Sequence, residues 1–214
     1  MQKWLLMIDF ITASHDDKIL KANLLKSILF ADYKLTIAFG FNNIPKAYNS
    51  IKAKTEIVVY LHHDIFLPPD FFSNLQHAIK TVTKLDKNWG VLGVAGVKLI
   101  NNQRQIFGNI NDRGIPFGSA QNLPHEVDTL DELLLITHGD IVFDENLPLH
   151  FYGADICMQA KQQGRKCYAI NAYCHHNSSL VRGHRSESFY TCMDYFKNKW
   201  KHYLPIATTC TIVK

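Results

Sequence analysis

Two periodicities run through this chain. Five apolar residues in unbroken succession, Ile57 to Leu61, predict a strand buried on both faces of a parallel sheet. The run stops on His62-His63-Asp64, and Pro68-Pro69 keeps the strand from continuing. Trp4 to Ile11 reads as a first strand, and Tyr33, Leu35, Ile37 and Phe39 alternate as a second, ended by Gly40. Between them Ser14-x-x-Asp17 is a capping-box-like start. The helix it opens carries Ile19, Leu20, Leu24, Ile28 and Leu29 on one stripe, with lysines 18, 21 and 26 mostly away from it. Pro45 suits the first turn of a short helix through Ile51. Residues 1–65 therefore read β-α-β-α-β, which predicts a parallel sheet with right-handed crossovers.

Asp70 to Thr83 spaces Phe71, Phe72, Leu75, Ala78, Ile79 and Val82 as the apolar face of a helix. Val91 to Ile100 reads as one strand. Gly93 and Gly96 lie inside it and do not open a helix, which favours close backbone approach over a cofactor loop. Asn101 to Asn122 is polar, rich in Gly, Asn and Asp, and reads as irregular. Val127 to Thr137 returns to strand, Asp144-Glu145-Asn146 to turn, and Phe151 to Gln163 to helix, with Gly164 as its stop. Lys166 to Ile170 is a last short strand leading to Cys174-His175-His176. Ser186 to Leu204 is helical, aromatic on one side (Phe189, Tyr190, Tyr195, Phe196, Trp200, Tyr203) and basic on the other (Lys197, Lys199, Lys201). The pattern shows no repeat and no linker. It predicts one α/β domain over residues 1–214, with a mainly parallel central sheet flanked by helices.

Composition narrows this little. At 214 residues, 47% hydrophobic and 20% charged, the chain has the makeup of a soluble globular protein with a sizeable core. Its net charge of +4 suits an anionic small molecule or a membrane surface; the scattered lysines exclude a nucleic-acid footprint. Cys157, Cys167, Cys174, Cys192 and Cys210 form no C-x-x-C pair and sit in apolar segments, as free thiols in a reducing compartment do. Met1 to Ile11 carries Lys3 and Asp9 and lacks a small-residue cleavage site, so it reads as a strand and not a signal peptide. No apolar run approaches the ~18 residues of a membrane span. The expected location is the cytoplasm, with an alternative at the inner face of a membrane through the C-terminal helix, against core packing with a solvated lysine face.

Three clusters could carry chemistry: His62-His63-Asp64, Asp155, and His175-His176. Each follows or begins an element at what the topology makes the same edge of the sheet, where open α/β sheets bind ligands. Mg²⁺ takes carboxylate and phosphate oxygens, and Mn²⁺ also accepts imidazole. Strand alternation sends His62 and His63 to opposite faces, so at most one of them faces the site, and periodicity alone does not say which. A buried structural ion pair at Asp64 and a helix-start role for Asp155 are the plain alternatives. Arg182 and Arg185, after Ser178-Ser179, could close over a diphosphate as a cationic lid.

Taken together these stretches resemble the family 2 glycosyltransferases of the GT-A fold, and within them a small bacterial glycosyltransferase-like subgroup whose metal motif reads His-x-Asp. The resemblance rests on several segments in order along almost the whole chain. They are Ala47-Tyr48-Asn49; His62-His63-Asp64-Ile65 with Leu67-Pro68 and Phe71-Phe72; Gly90 to Gly96; Glu126 to Asp131, with Glu132 replacing a glycine; Phe143-Asp144-Glu145; Phe151 to Asp155, with Ala154 replacing a Glu; His175-His176-x-Ser178; and Lys199-Trp200 with Leu204-Pro205.

The resemblance implies inverting transfer of a sugar from a nucleotide-sugar donor to the hydroxyl of a glycan, lipid-linked or small-molecule acceptor, with a divalent metal (Mn²⁺ or Mg²⁺). It implies metal binding by Asp64, with His62 in place of the missing first Asp and one of His175 or His176 completing the site. It implies Asp155 as general base, Thr12 and Ser14 at the nucleoside, and Asp131 at the donor sugar. Residues 1–100 would form a nucleotide-binding half, 101–185 an acceptor and catalytic half, and 186–214 a helical tail. The replaced motif residues keep two other classes open: a silent sugar-nucleotide or glycan-binding module, and a metal-dependent hydrolase using His62, Asp64 and His175.

Overall fold

The structure, a computed structural model, describes residues 7–139, 141–178 and 185–214. The chain opens with β1 (Ile8–Ser14), α1 (Asp17–Ala22), α2 (Leu29–Asp32), β2 (Leu35–Phe39), α3 (Ile44–Asn49) and β3 (Ile57–Leu61). β1 runs parallel to both β2 and β3, as the β-α-β-α-β reading requires. The first helix is shorter than its apolar stripe. Asp16, not Ser14, caps it, accepting from Lys18 and Ile19 N–H. Ser14 is instead 2.8 Å from the ring of His63. Asn23 bonds back to the Ile19 carbonyl and Ser27 Oγ accepts from Leu67 N–H, and these side-chain bonds break the helix into α1, a 3-10 turn and α2.

After β3 come β4 (Ile65–Phe66), α4 (Phe71–Leu85), β5 (Val91–Gly93), β6 (Ala95–Ile100), β7 (Gln103–Gly108), β8 (Ile110–Asp112) and β9 (Ile115–Phe117). The expected strand over 91–100 is thus two. β5 stays in the central sheet, and β6 leaves it to pair with β7 and with β11 (Thr129–Leu130), which follows β10 (His125–Val127). Gly96 permits this crossing, because a Cβ there would sit 2.8 Å from Val127 Cγ2 and 3.0 Å from the Thr129 carbonyl. The segment 101–122, expected to be irregular, holds β7, β8 and β9. β7 is exposed from Gln103 to Gln105, so no apolar alternation announced it.

β12 (Leu134–His138), α5 (Tyr152–Gln162), β13 (Cys167–Ala169), β14 (Cys174–His176), α6 (Glu187–Lys199), β15 (Ile206–Ala207) and β16 (Ile212–Val213) complete the chain. Among the described residues the central sheet has the order β10-β13-β5-β12-β3-β1-β2. β2, β1, β3, β5 and β13 share one direction; β12 and β10 oppose it. It is a mainly parallel sheet between helices, and side-chain alternation builds a core on each face. Phe10, Val59, Leu61 and Ile136 pack with Leu20 and α4 on one side. Ile11, Val58, Tyr60 and Leu135 pack with Tyr48, α5 and α6 on the other.

α6 places Phe189, Cys192 and Phe196 in that second core, with Trp200 just beyond its end, and leaves Tyr190 and Tyr195 exposed. Its aromatic side therefore serves the core. Among the described residues no helix is long and apolar enough to cross a membrane. All five cysteines are free; Cys157, Cys167, Cys174 and Cys192 are buried, and Cys210 is exposed.

Candidate metal centre

β3 ends at Leu61, and the side chains that follow leave the sheet on alternate sides. His62 turns toward α5, its Nε2 2.8 Å from the Tyr152 hydroxyl. His63 turns away, to Ser14 and to the ring of His15 at 5.0 Å. Asp64 leads into β4, which pairs antiparallel with β14 so that His176 lies opposite Ile65. Asn177 N–H donates to the Asp64 carbonyl at 2.9 Å and locks that pairing. His176 Nε2 is thereby 3.5 Å from Asp64 Oδ2, while His62 Nδ1 approaches Asp64 Oδ1 to 3.9 Å.

One ligand atom each from His62, Asp64 and His176 lie within 4.8 Å of one another, the one such group among the described residues. Ligands around a small divalent ion sit about 3 to 4 Å apart, so modest side-chain rotations close this set on an ion. Asp64 Oδ1 is buried and has no hydrogen-bond partner among the described residues, an orphaned charge that a cation would satisfy. Two imidazoles and one carboxylate suit Mn²⁺ better than Mg²⁺ and leave coordination positions open for ligand oxygens.

The electrostatics match. Burial would raise the Asp64 carboxyl, but the hydrogen bond from His176 and the charges of His62 and His176 hold it at about 2. Burial pushes His62 down, against the pull of Asp64. His176 moves up: burial opposes this, and Asp64, Asp131 and Asp112 outweigh burial.

The other residues singled out by the sequence lie elsewhere. His175 points to the opposite side of β14, its ring 5.8 Å from Phe66 and 5.0 Å from Tyr173. Thr12 is fully buried and donates to the Leu61 carbonyl at 2.7 Å, tying β1 to β3. Ser14 is nearly buried against His63. Asp131 accepts from Thr209 Oγ1 at 2.6 Å and from Leu133 N–H, and its charge reaches both His62 and His176. Arg185 donates to the Cys210 carbonyl at 2.7 Å and lies over the Phe189 ring. Arg182 lies outside the described residues.

Asp155 does not join the cluster. It is 0% exposed, with Trp200 Nε1 and Lys199 Nζ both at 2.7 Å from Oδ1 and Gln159 Nε2 at 2.8 Å from Oδ2. Those partners make it the tie between α5 and the end of α6. Lys199 also reaches Asp144, the centre of the Phe-Asp-Glu turn, which Asn49 holds through paired bonds to Phe143.

Sequence reasoning assigned no role to Tyr152, although it stands in a quoted segment, and passed over Asp112 within the polar stretch. It noted Glu132 merely as a replaced glycine. Burial and then the neighbouring Asp131 push the Glu132 carboxyl up to about 8, against backbone N–H groups at Glu132, Gly153 and Phe151. A raised carboxyl stabilises the fold fully below its unfolded value, near 4.5, and that contribution is lost as pH rises through 8. Glu132→Gln is therefore expected to unfold at a higher temperature than the parent at pH 9, by a difference on the order of 2 kcal/mol, and to match it at pH 4.5. Melting curves that run parallel across this range would show that Glu132 is not held neutral.

A cavity of about 510 Å³ opens between Asp86, His125, Lys166 and Tyr168, and none of these candidate residues lines it.

A family model described as "Glycosyltransferase like family" matches residues 32–191. A protein of Fuscovulum blasticum named "ATP synthase subunits region ORF 6" is 28% identical over 167 residues, covering 72% of this chain and 63% of its own length. The mannosyltransferase PcManGT from Pyrobaculum calidifontis, solved with GDP-Man and Mn²⁺, superposes with a TM-score of 0.54 at 13% identity, covering 85% of this chain and 59% of that one. S. aureus TarS 1-349, solved with UDP-GlcNAc, gives 0.53 at 14% identity, covering 91% of this chain and 66% of that one. This chain thus spans about three fifths to two thirds of the length of these relatives. At such identities the two structures establish a shared GT-A fold.

Proposed function

Because this chain belongs to the glycosyltransferase-like family and has its GT-A fold, we propose that it transfers a sugar from a nucleotide-sugar donor to an acceptor hydroxyl, with His62, Asp64 and His176 holding a divalent cation at the donor diphosphate. The observation that carries this reading is the meeting of those three side chains at the carboxyl end of β3, with Asp64 Oδ1 buried and unbonded. The relatives solved with GDP-Man and Mn²⁺ and with UDP-GlcNAc support the class of donor.

A bound cation would supply the positive charge that a departing nucleoside diphosphate needs. The rest falls to the chain. Tyr152 holds the His62 ring through Nε2, which leaves Nδ1 toward Asp64. Asp131, fixed by Thr209 and Leu133, lines the donor-sugar side. Ser14 and His63 shape the end of β1, where the nucleoside would lie. Thr12 acts by holding that strand in place. The transfer we propose is a single displacement with inversion. Asp155 serves as its base only if the bonds to Trp200 and Lys199 open. The sealed state of Asp155 favours a second reading, a module that binds the donor without turning it over.

Calorimetric titration with a panel of nucleotide sugars, with and without Mn²⁺, tests both. Metal-dependent donor binding followed by slow release of nucleoside diphosphate is the expected result. Binding without release selects the module. Metal binding with no nucleotide preference overturns the transferase and returns the hydrolase.

A further inference from the structure

We propose that Asp112 is a positioning residue for His176, setting which ring nitrogen faces Asp64; the proposal rests on the metal reading above for its purpose but not for its geometry. β8 and β14 run parallel with Asp112 and His176 as register partners, so their side chains emerge side by side. His176 Nδ1 is 3.1 Å from Asp112 Oδ1, an ion-pair contact and not an aligned hydrogen bond, while Nε2 faces Asp64 Oδ2 at 3.5 Å. The imidazole thus stands between two carboxylates, one in the cluster and one behind it.

The backbone around Asp112 is built to hold it there. β8 and β9 are joined by the two-residue turn Arg113-Gly114, with φ of +53° and +82°, the conformation of a tight hairpin of the I′ type. Gly114 takes its angle without strain, and Asn111 Oδ1 accepts from its N–H at 2.7 Å. Arg113 is a costlier choice for positive φ, and its N–H donates to the His176 carbonyl at 2.9 Å, which ties the turn to the strand it serves. Arg113 Nε also lies 3.5 Å from Asp112 Oδ1.

A carboxylate behind a ligating imidazole keeps the proton on the far nitrogen and turns the near lone pair toward the ion. Asp112 would therefore place the proton on Nδ1 and present Nε2 to the cluster. Removing such a partner costs about 10- to 100-fold in metal affinity in known sites.

The test has two independent readouts on the whole chain. Nitrogen-15 imidazole NMR of the Zn²⁺-loaded protein reports which His176 ring nitrogen takes the metal; Nε2, with the proton on Nδ1, is expected in the parent and a mixture of the two nitrogens in Asp112→Ala, with Asp112→Glu restoring the parent pattern. An unchanged metal-bound nitrogen in Asp112→Ala overturns the proposal. Mn²⁺ titration followed by electron paramagnetic resonance then measures affinity in the parent, Asp112→Ala, His176→Ala and the double variant. A 10- to 100-fold loss in Asp112→Ala that vanishes in the His176→Ala background supports positioning through the ring. An equal loss in both backgrounds overturns it. A parent that binds neither Mn²⁺ nor Zn²⁺ sinks the metal reading and this proposal with it, whereas metal binding with neither change in Asp112→Ala sinks the proposal alone.

Discussion

Replacing Asp64 with alanine is expected to abolish Mn²⁺-dependent donor binding and to lower turnover about a thousandfold or more. Asp64 is the charged member of the cluster, and both flanking imidazoles are oriented on it. Its carboxyl is held near 2, so it is anionic at any physiological pH. Without it, two imidazoles alone would face the diphosphate and the ion would lose its one anionic ligand. A cation's stabilisation of a leaving diphosphate is worth several kcal/mol, and about 4 kcal/mol corresponds to that factor in rate. The fold should tolerate the change, because Asp64 Oδ1 makes no hydrogen bond and His176 retains Asp112. Metal affinity by calorimetry together with the melting temperature checks both halves. Unaltered Mn²⁺ affinity in a folded Asp64→Ala protein would move the metal site elsewhere.

The second large effect is on stability. Asp155→Ala removes a fully buried carboxylate from Trp200 Nε1, Lys199 and Gln159. Breaking a buried pair by deleting one partner costs roughly 3 to 5 kcal/mol. Lys199 is part exposed and keeps Asp144, so about 3 kcal/mol is expected here. For a chain of this size that lowers the melting temperature by about 6 to 12 °C. The isosteric Asp155→Asn still accepts from Trp200 and should cost about 1 kcal/mol. Turnover per folded molecule separates the two roles of Asp155. Retained turnover in Asp155→Asn marks it as the anchor of the C-terminal helix. A loss of 10²-fold or more with unchanged stability would mark it as the base.

The centre of this fold was written plainly in the sequence. Ile57 to Leu61 had to be buried on both faces, so the polar residues after it had to emerge at the sheet's edge, and period-two alternation separates His62 from His63. The choice between His175 and His176 was not legible in this way, because it depends on how β14 pairs with β4 and β8, strands too short to carry a pattern. The same holds for residues 101–122. Their strands lie partly in solvent, so polar side chains on β7 looked like loop. The surroundings of Asp155 were hidden for another reason. A carboxylate in the first turn of a helix looks the same in sequence whether it faces a cleft or, as here, an indole just past the end of a helix that begins more than thirty positions later.

The short sheet β4-β14-β8-β9 has one more consequence. Asp64, Asp112 and His176 reach a common point through backbone ladders that join the early, middle and late parts of the chain. A nucleotide-binding half cut out at residue 100 would therefore own one corner of a triangle and nothing to close it. Any segment meant to keep the three side chains together has to run at least from β3 to β14.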